Sequence, residues 1–190
     1  MNQEFNLTEQ GYLLKIARQA LENAAQGKPL PELDFNQLPA SFAENGASFV
    51  TLTIDERLRG CIGTLDAYQP LARDVQEHAV AAGLQDFRFP KVIVDELAMI
   101  KIEVSVLTER KRLIYDRPQD LVTKLKPHID GVILQDGIKK ATFLPQVWEK
   151  LPNPEEFLSQ LCYKMGVPRD TWCTKPLDVF VYQVRKFHEQ

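Results

Sequence analysis

The chain has 190 residues, of which 44% are hydrophobic and 26% charged, an ordinary globular composition that excludes a disordered chain. A chain of this length buries roughly 70% of its unfolded surface, so it needs no disulfide or metal to fold and suits one large domain or two small lobes. A net charge of −3 argues against a nucleic-acid binder, whose phosphate contacts leave a basic footprint, and the dense basic stretch Arg110-Lys111-Arg112 reads as a solvated strand end.

In chain order, the polar opening Met1 to Asn6 is expected to carry no secretory segment. No apolar run approaches the roughly twenty residues of a membrane-spanning helix. The first helix is expected from Glu9 to Ala25. Thr8 is its N-cap, Leu13, Ile16, Ala17, Ala20, Leu21 and Ala24 recur at helical spacing, and Gly27 lies just past its end. Leu30 to Leu38, punctuated by Pro29, Pro31 and Pro39, reads as an extended segment laid over the core. Asn45-Gly46 is a turn dipeptide. Ala47 to Ile54 is rich in β-branched and aromatic residues and reads as a strand. After the polar break Asp55-Glu56-Arg57, Leu58 to Leu65 reads as a second strand interrupted by Gly60 and Gly63.

Pro70 starts a helix to Leu84, with Leu71, Val75, Ala79 and Ala82 on one stripe. Asp86 to Pro90 is a loop. Ile100 to Leu107 alternates, with Ile102, Val104 and Val106 on one face and Glu103 and Ser105 on the other. A short helix is expected over Pro118 to Leu125. Strands are expected over Gly131 to Gln135 and Ala141 to Leu144, joined at Asp136-Gly137. Asn153-Pro154-Glu155-Glu156 opens a helix to Met165, stopped by Gly166, and Leu177 to Val184 is the final strand. Strand pairs are adjacent in sequence, so the expected class is α+β with a mainly antiparallel sheet and flanking helices.

The segment richest in chemistry is Leu58-Arg59-Gly60-Cys61-Ile62-Gly63-Thr64-Leu65. Two glycines three positions apart in a strand weaken it unless they permit a bulge or a close approach. Backbone amides freed at such a kink can form an anion nest. Arg59 adds a donor fork suited to carboxylate or phosphate, and a neighbouring cation lowers the pKa of an exposed Cys61. The alternative is that Cys61 and Ile62 pack in the core while the glycines make room for a helix. Neither a phosphate-loop pattern nor a dinucleotide fingerprint is present. Cys61, Cys162 and Cys173 form no CxxC pair and His78, His128 and His188 are scattered, so reduced cytosolic thiols are expected, with no metal and no cofactor.

Leu58-Arg59-Gly60-Cys61-Ile62-Gly63-Thr64 resembles the LRGCIG hallmark of the AmmeMemoRadiSam system protein A (AMMECR-one) family. The likeness continues through Ala79, Ala81, Ala82, Asp86, Arg88, Phe89 and Pro90, then Ile102 to Leu107, Gly131 to Leu134 and Ala141 to Trp148. It spans Thr8 to Phe187, and so describes residues 1–190 as one domain of this type. The resemblance implies an α+β fold of two subdomains with a cleft between them and the glycine-cysteine motif near it. It also implies a pathway shared with a Memo-like protein and a radical S-adenosylmethionine enzyme, without an established activity. His78 stands where asparagine is more usual, and Lys139-Lys140 where arginine is.

The candidate ligand-binding set is Arg59, Gly60, Cys61, Ile62, Gly63, Thr64, Asp86, Arg88, Glu103, Ser105, Lys140, Thr142 and Gln146, with Cys61 the candidate catalytic residue. Asp86 and Arg88 either pair with each other or meet a ligand. Glu103 and Ser105 share a strand face and meet Arg59 if that face lines a cleft. Pro145 ends a strand and starts a helix at which Gln146 can point into a site. Cys162 reads as core, and His78 is a possible base for Cys61. Three functions stay open: a small-ligand-binding or accessory protein with a small anionic ligand, an enzyme with Cys61 as nucleophile or redox thiol, and an interaction adaptor whose motif is structural.

Overall fold

Asn6, rather than Thr8, caps the first helix, α1 (Leu7–Ala25). Its side chain accepts from the Glu9 amide at 3.0 Å, and the Asn6 amide donates to the Glu9 carboxylate at 2.9 Å. This reciprocal capping box satisfies two otherwise orphaned N–H groups and starts the helix two residues earlier than the spacing suggests. The computed structural model describes residues 5–190; the polar opening Met1–Glu4 lies outside the described residues.

The chain divides into two compact units. The larger comprises the described residues up to Leu107 together with Arg185–Gln190, and the smaller comprises Thr108–Val184. In the larger unit β1 (Asn45–Gly46) pairs with β4 (Gln69–Pro70), while β2 (Ser48–Ile54) and β3 (Arg57–Gly63) form a hairpin. α2 (Leu71–Leu84) and β5 (Lys101–Leu107) follow. In the smaller unit β6 (Lys111–Arg112), α3 (Leu121–Lys124), β7 (Gly131–Asp136), β8 (Lys139–Phe143), α4 (Pro154–Lys164), α5 (Thr171–Thr174) and β9 (Asp178–Tyr182) follow in order. β10 (Val184–His188) completes the larger unit's sheet, whose order is β10-β5-β2-β3; the smaller unit's sheet runs β6-β9-β7-β8. Neighbouring strands pair antiparallel in β2–β3, β2–β5, β6–β9, β7–β8 and β7–β9, so the fold is α+β with antiparallel sheets.

Three expectations are corrected. Asn45-Gly46 is not the hairpin turn but a two-residue strand. A Cβ on Gly46 would stand 2.8 Å from Leu71 Cβ, so glycine is there to let α2 approach. The β2–β3 hairpin turns within the expected polar break, at Asp55-Glu56, whose φ values of 49° and 62° give the left-handed pair that matches strand twist. The helix expected over Pro118 to Leu125 begins as a 3₁₀ turn, Pro118–Asp120, before α3. The final strand, expected as one piece from Leu177 to Val184, breaks at Gln183 into β9 and β10, which belong to different sheets.

Each unit has its own core. In the larger, Val50, Leu52, Ile102 and Val104 are fully buried with Leu13, Ala17, Leu21, Val75 and Ala79 of the two helices. The alternation that buries Val50 and Leu52 turns Phe49, Thr51 and Thr53 to the sheet's other face. In the smaller unit Trp148 stacks on Phe157 at 3.6 Å, beside buried Leu134, Leu158, Leu161 and Cys162. Among the described residues no helix is long and apolar enough to cross a membrane.

Candidate functional site

The glycine-cysteine segment forms β3, the edge strand of the larger unit's sheet. Its register with β2 pairs Leu52 with Gly60 and Thr53 with Leu58. Arg59 is therefore the extra residue of a β-bulge, the device that re-aims a side chain at a sheet edge. Neither glycine has positive φ; both serve close approach. A Cβ on Gly60 would lie 2.1 Å from the Ala82 carbonyl oxygen of α2, and one on Gly63 2.3 Å from the Ser48 carbonyl oxygen.

The bulge sends Arg59 to Glu96. Its Nε and Nη2 donate to the two carboxylate oxygens at 2.8 and 2.9 Å, and Nη1 donates to the Pro90 carbonyl at 2.8 Å. This two-pronged bond holds the Glu96 carboxyl below its ordinary range. The fork is thus used inside the chain, and Arg59 meets Glu96 rather than Glu103.

An edge strand leaves alternate N–H and C=O groups without a strand partner. At Cys61 two side chains supply the partners. The Cys61 amide donates to Asp86 Oδ2 at 2.9 Å, and Arg88 Nη2 donates to the Cys61 carbonyl at 3.1 Å. Arg88 also donates to both Asp86 oxygens, at 2.8 and 2.6 Å. The pair acts as a short substitute strand, and the amide expected to be free for an anion is occupied. The Arg88 bond, followed by the Cys61 amide, holds the Asp86 carboxyl well below the usual carboxylate range against the opposing effect of its burial.

The Cys61 side chain lies on the sheet face turned away from α1 and α2 and is half-buried. The Thr51 hydroxyl donates to its sulfur at 3.3 Å. The register sets Cys61 opposite Thr51, and Thr51 opposite Glu103. Glu103 accepts from the Ser105 hydroxyl at 3.4 Å and pairs with Lys186 at 3.5 Å. A thiol, a hydroxyl, a carboxylate and an ammonium therefore follow one another across the sheet. Ile62 turns the other way and packs against the core, while the Thr64 amide donates to the Ser48 carbonyl and its hydroxyl accepts from Asp66.

His78 engages Asp74, not Cys61: its Nδ1 lies 3.1 Å from Asp74 Oδ2. The same oxygen accepts from the Ser48 amide at 2.8 Å and the Ser48 hydroxyl at 2.6 Å. The remaining candidates belong to the smaller unit. Lys140 is an exposed residue of β8, and Gln146 is exposed in the 3₁₀ turn Pro145–Glu149. The Thr142 hydroxyl donates to the Val132 carbonyl at 2.9 Å and lies 3.0 Å from the Tyr182 hydroxyl, whose pKa burial pushes up to about 12. Thr51, Glu96 and Lys186 are additions to the set read from the sequence. Thr51 was open to discovery by pairing the two strands; Glu96 and Lys186 carry no local signal. Among the described residues no group of three or more His, Cys, Asp or Glu side chains is placed to hold a metal ion.

The sequence profile of the AMMECR1 family matches residues 14–187. A protein of Methanopyrus kandleri is 36% identical across 100% of this chain and 93% of its own length. One from Methanocaldococcus jannaschii is 33% identical across 96% of this chain and 91% of its own. The crystal structure of an uncharacterized protein from Pyrococcus horikoshii superposes with a TM-score of 0.82 at 32% identity, covering 96% of this chain and 92% of that one. The match over nearly the whole chain, and through the bulged β3 on which the site is built, places this chain in the AMMECR1 family.

Proposed function

We propose that the chain is a small-ligand-binding or accessory component of a cytoplasmic modification pathway, working beside a Memo-like protein and a radical S-adenosylmethionine enzyme, as the likeness to AmmeMemoRadiSam system protein A implies. The observation that carries this reading is the polar row Cys61, Thr51, Glu103 and Lys186 on the sheet face away from the helices. It combines donors and acceptors of both charges, as orientation of a small polar ligand requires. Its backbone is fixed behind by the Gly60–Ala82 approach and at the edge by Asp86 and Arg88. Such preorganisation lowers the ordering cost of binding. Catalysis by Cys61 has less support. Its sulfur meets a hydroxyl, and Glu103 is two strands away, roughly 10 Å by strand spacing, beyond direct proton transfer.

The test is a thermal-shift titration of the full chain with 5′-deoxyadenosine and methionine, the products a radical S-adenosylmethionine enzyme releases, together with co-purification with the two proposed partners. A ligand at a hundred times its Kd adds about 2.7 kcal/mol. The reading expects a shift with a probe or a stable complex, with the shift lost in Cys61→Ser or Glu103→Gln. A shift unchanged in both variants, or neither shift nor complex, contradicts it.

A further inference from the structure

A second site lies in the larger unit, where the proline-flanked strap between Pro29 and Pro39 crosses α1 and α2. It is a cavity of about 250 Å³ with Ile16, Leu33 and Leu38 as apolar lining and Gln76 of α2 among its walls. Gln76 is 1% exposed. Its Nε2 donates to the Pro31 carbonyl at 2.8 Å. A carbonyl can only accept, so this bond fixes which way the amide is turned. The other end of the amide, Oε1, is buried and makes no hydrogen bond among the described residues. A buried acceptor without a donor is costly, and the residue that carries it is one of those lining the cavity. The lining also includes the exposed residues Glu32, Asp34 and Lys15, two negative charges against one positive, and the Asp34 carboxylate already accepts from the Asn36 amide and the Gln37 side chain.

We propose that this cavity binds a small amine whose opposite end carries a hydroxyl or amide donor. The donor satisfies Gln76 Oε1, the apolar body covers Ile16, Leu33 and Leu38, and the ammonium lies at the rim beside Glu32 and Asp34. Because Oε1 is buried, contact involves a side-chain-scale shift of the lining. The irregular backbone of the strap is the wall with the fewest constraints on such a shift.

The test uses tyramine as the probe, followed by amide and side-chain NH₂ chemical shifts of the full chain. The expected result is saturable shifts, at millimolar concentration or below, in Tyr12 to Gln19, in Glu32 to Leu38 and in the Gln76 side chain. Phenethylamine, which lacks the hydroxyl, should bind about tenfold more weakly. The same is expected of 3-(4-hydroxyphenyl)propionate, which reverses the charge, and of tyramine on Glu32→Gln/Asp34→Asn. In Gln76→Met the tyramine-to-phenethylamine ratio should fall to about one, a readout that a general loosening of the fold does not move. Absence of saturable shifts in these segments, or equal affinity for tyramine and phenethylamine in the unmodified chain, overturns the proposal.

Discussion

Replacing Gly60 by alanine tests how β3 is seated. The new Cβ would stand 2.1 Å from the Ala82 carbonyl oxygen and 3.0 Å from its carbon. Both partners are backbone, so no side chain can swing away, and α2 must lift from β3 by roughly 1 Å. A radial gap of that size forfeits about a quarter to a half of each dispersion contact across it. The contacts at risk include Val75, Ala79 and Leu52, all fully buried. The expected loss is about 3 kcal/mol, or a fall in Tm of about 6–12 °C for a chain of this size. Gly11→Ala is the control. It lies in the exposed part of α1 with nothing within 4 Å of its Cβ position, and it should raise stability by about 0.5–1 kcal/mol. Thermal and urea unfolding followed by circular dichroism measure both. A Gly60→Ala chain that melts within about 1 °C of the parent would refute the close-approach argument.

Three further outcomes are expected. Asp86→Asn should destabilise the chain at neutral pH. Asp86 is held below its unfolded value of about 3.9, so its contribution is present above that value and lost as pH falls through the folded one. Denaturation at several pH values should therefore show a parent-to-variant difference that is constant above pH ~5 and shrinks below pH ~4. Iodoacetamide followed by mass spectrometry should label half-buried Cys61 and Cys173 in the native chain but Cys162 only after unfolding, since Cys162 is 0% exposed and burial raises its pKa. Arg59→Lys keeps the charge but loses the two-pronged bond to Glu96, and urea unfolding should report a loss of about 1–2 kcal/mol.

The sequence makes the helices legible because caps and apolar spacing are local. α2 and α4 begin and end within a residue or two of where Pro70, Asn153 and Gly166 suggest. The β2–β3 hairpin turns at the expected polar break, while the turn expected at Asn45-Gly46 is absent, and both have a physical reason. Asp55 and Glu56 take positive φ without glycine, which composition does not signal, while Gly46 carries a turn-like pair for the sake of packing on Leu71. The break at Gln183 is invisible because strand periodicity does not say which sheet a residue joins. In the glycine-cysteine segment, the bulge that the double glycine suggested is there. The partners of Arg59 and of the Cys61 amide lie 37 and 25 residues further along, and only the fold brings them in. An arginine read as a ligand donor is therefore found holding a glutamate.

The most direct test is hydrogen exchange at the Cys61 amide, residue by residue, in the native chain and in Asp86→Ala. Protection well above that of a solvent-facing edge amide is expected in the parent, with a selective loss at Cys61 in the variant while buried neighbours such as Val50 keep theirs. Rapid exchange at Cys61 in the parent, or equal protection in the two chains, would contradict a β3 edge held by the Asp86–Arg88 pair.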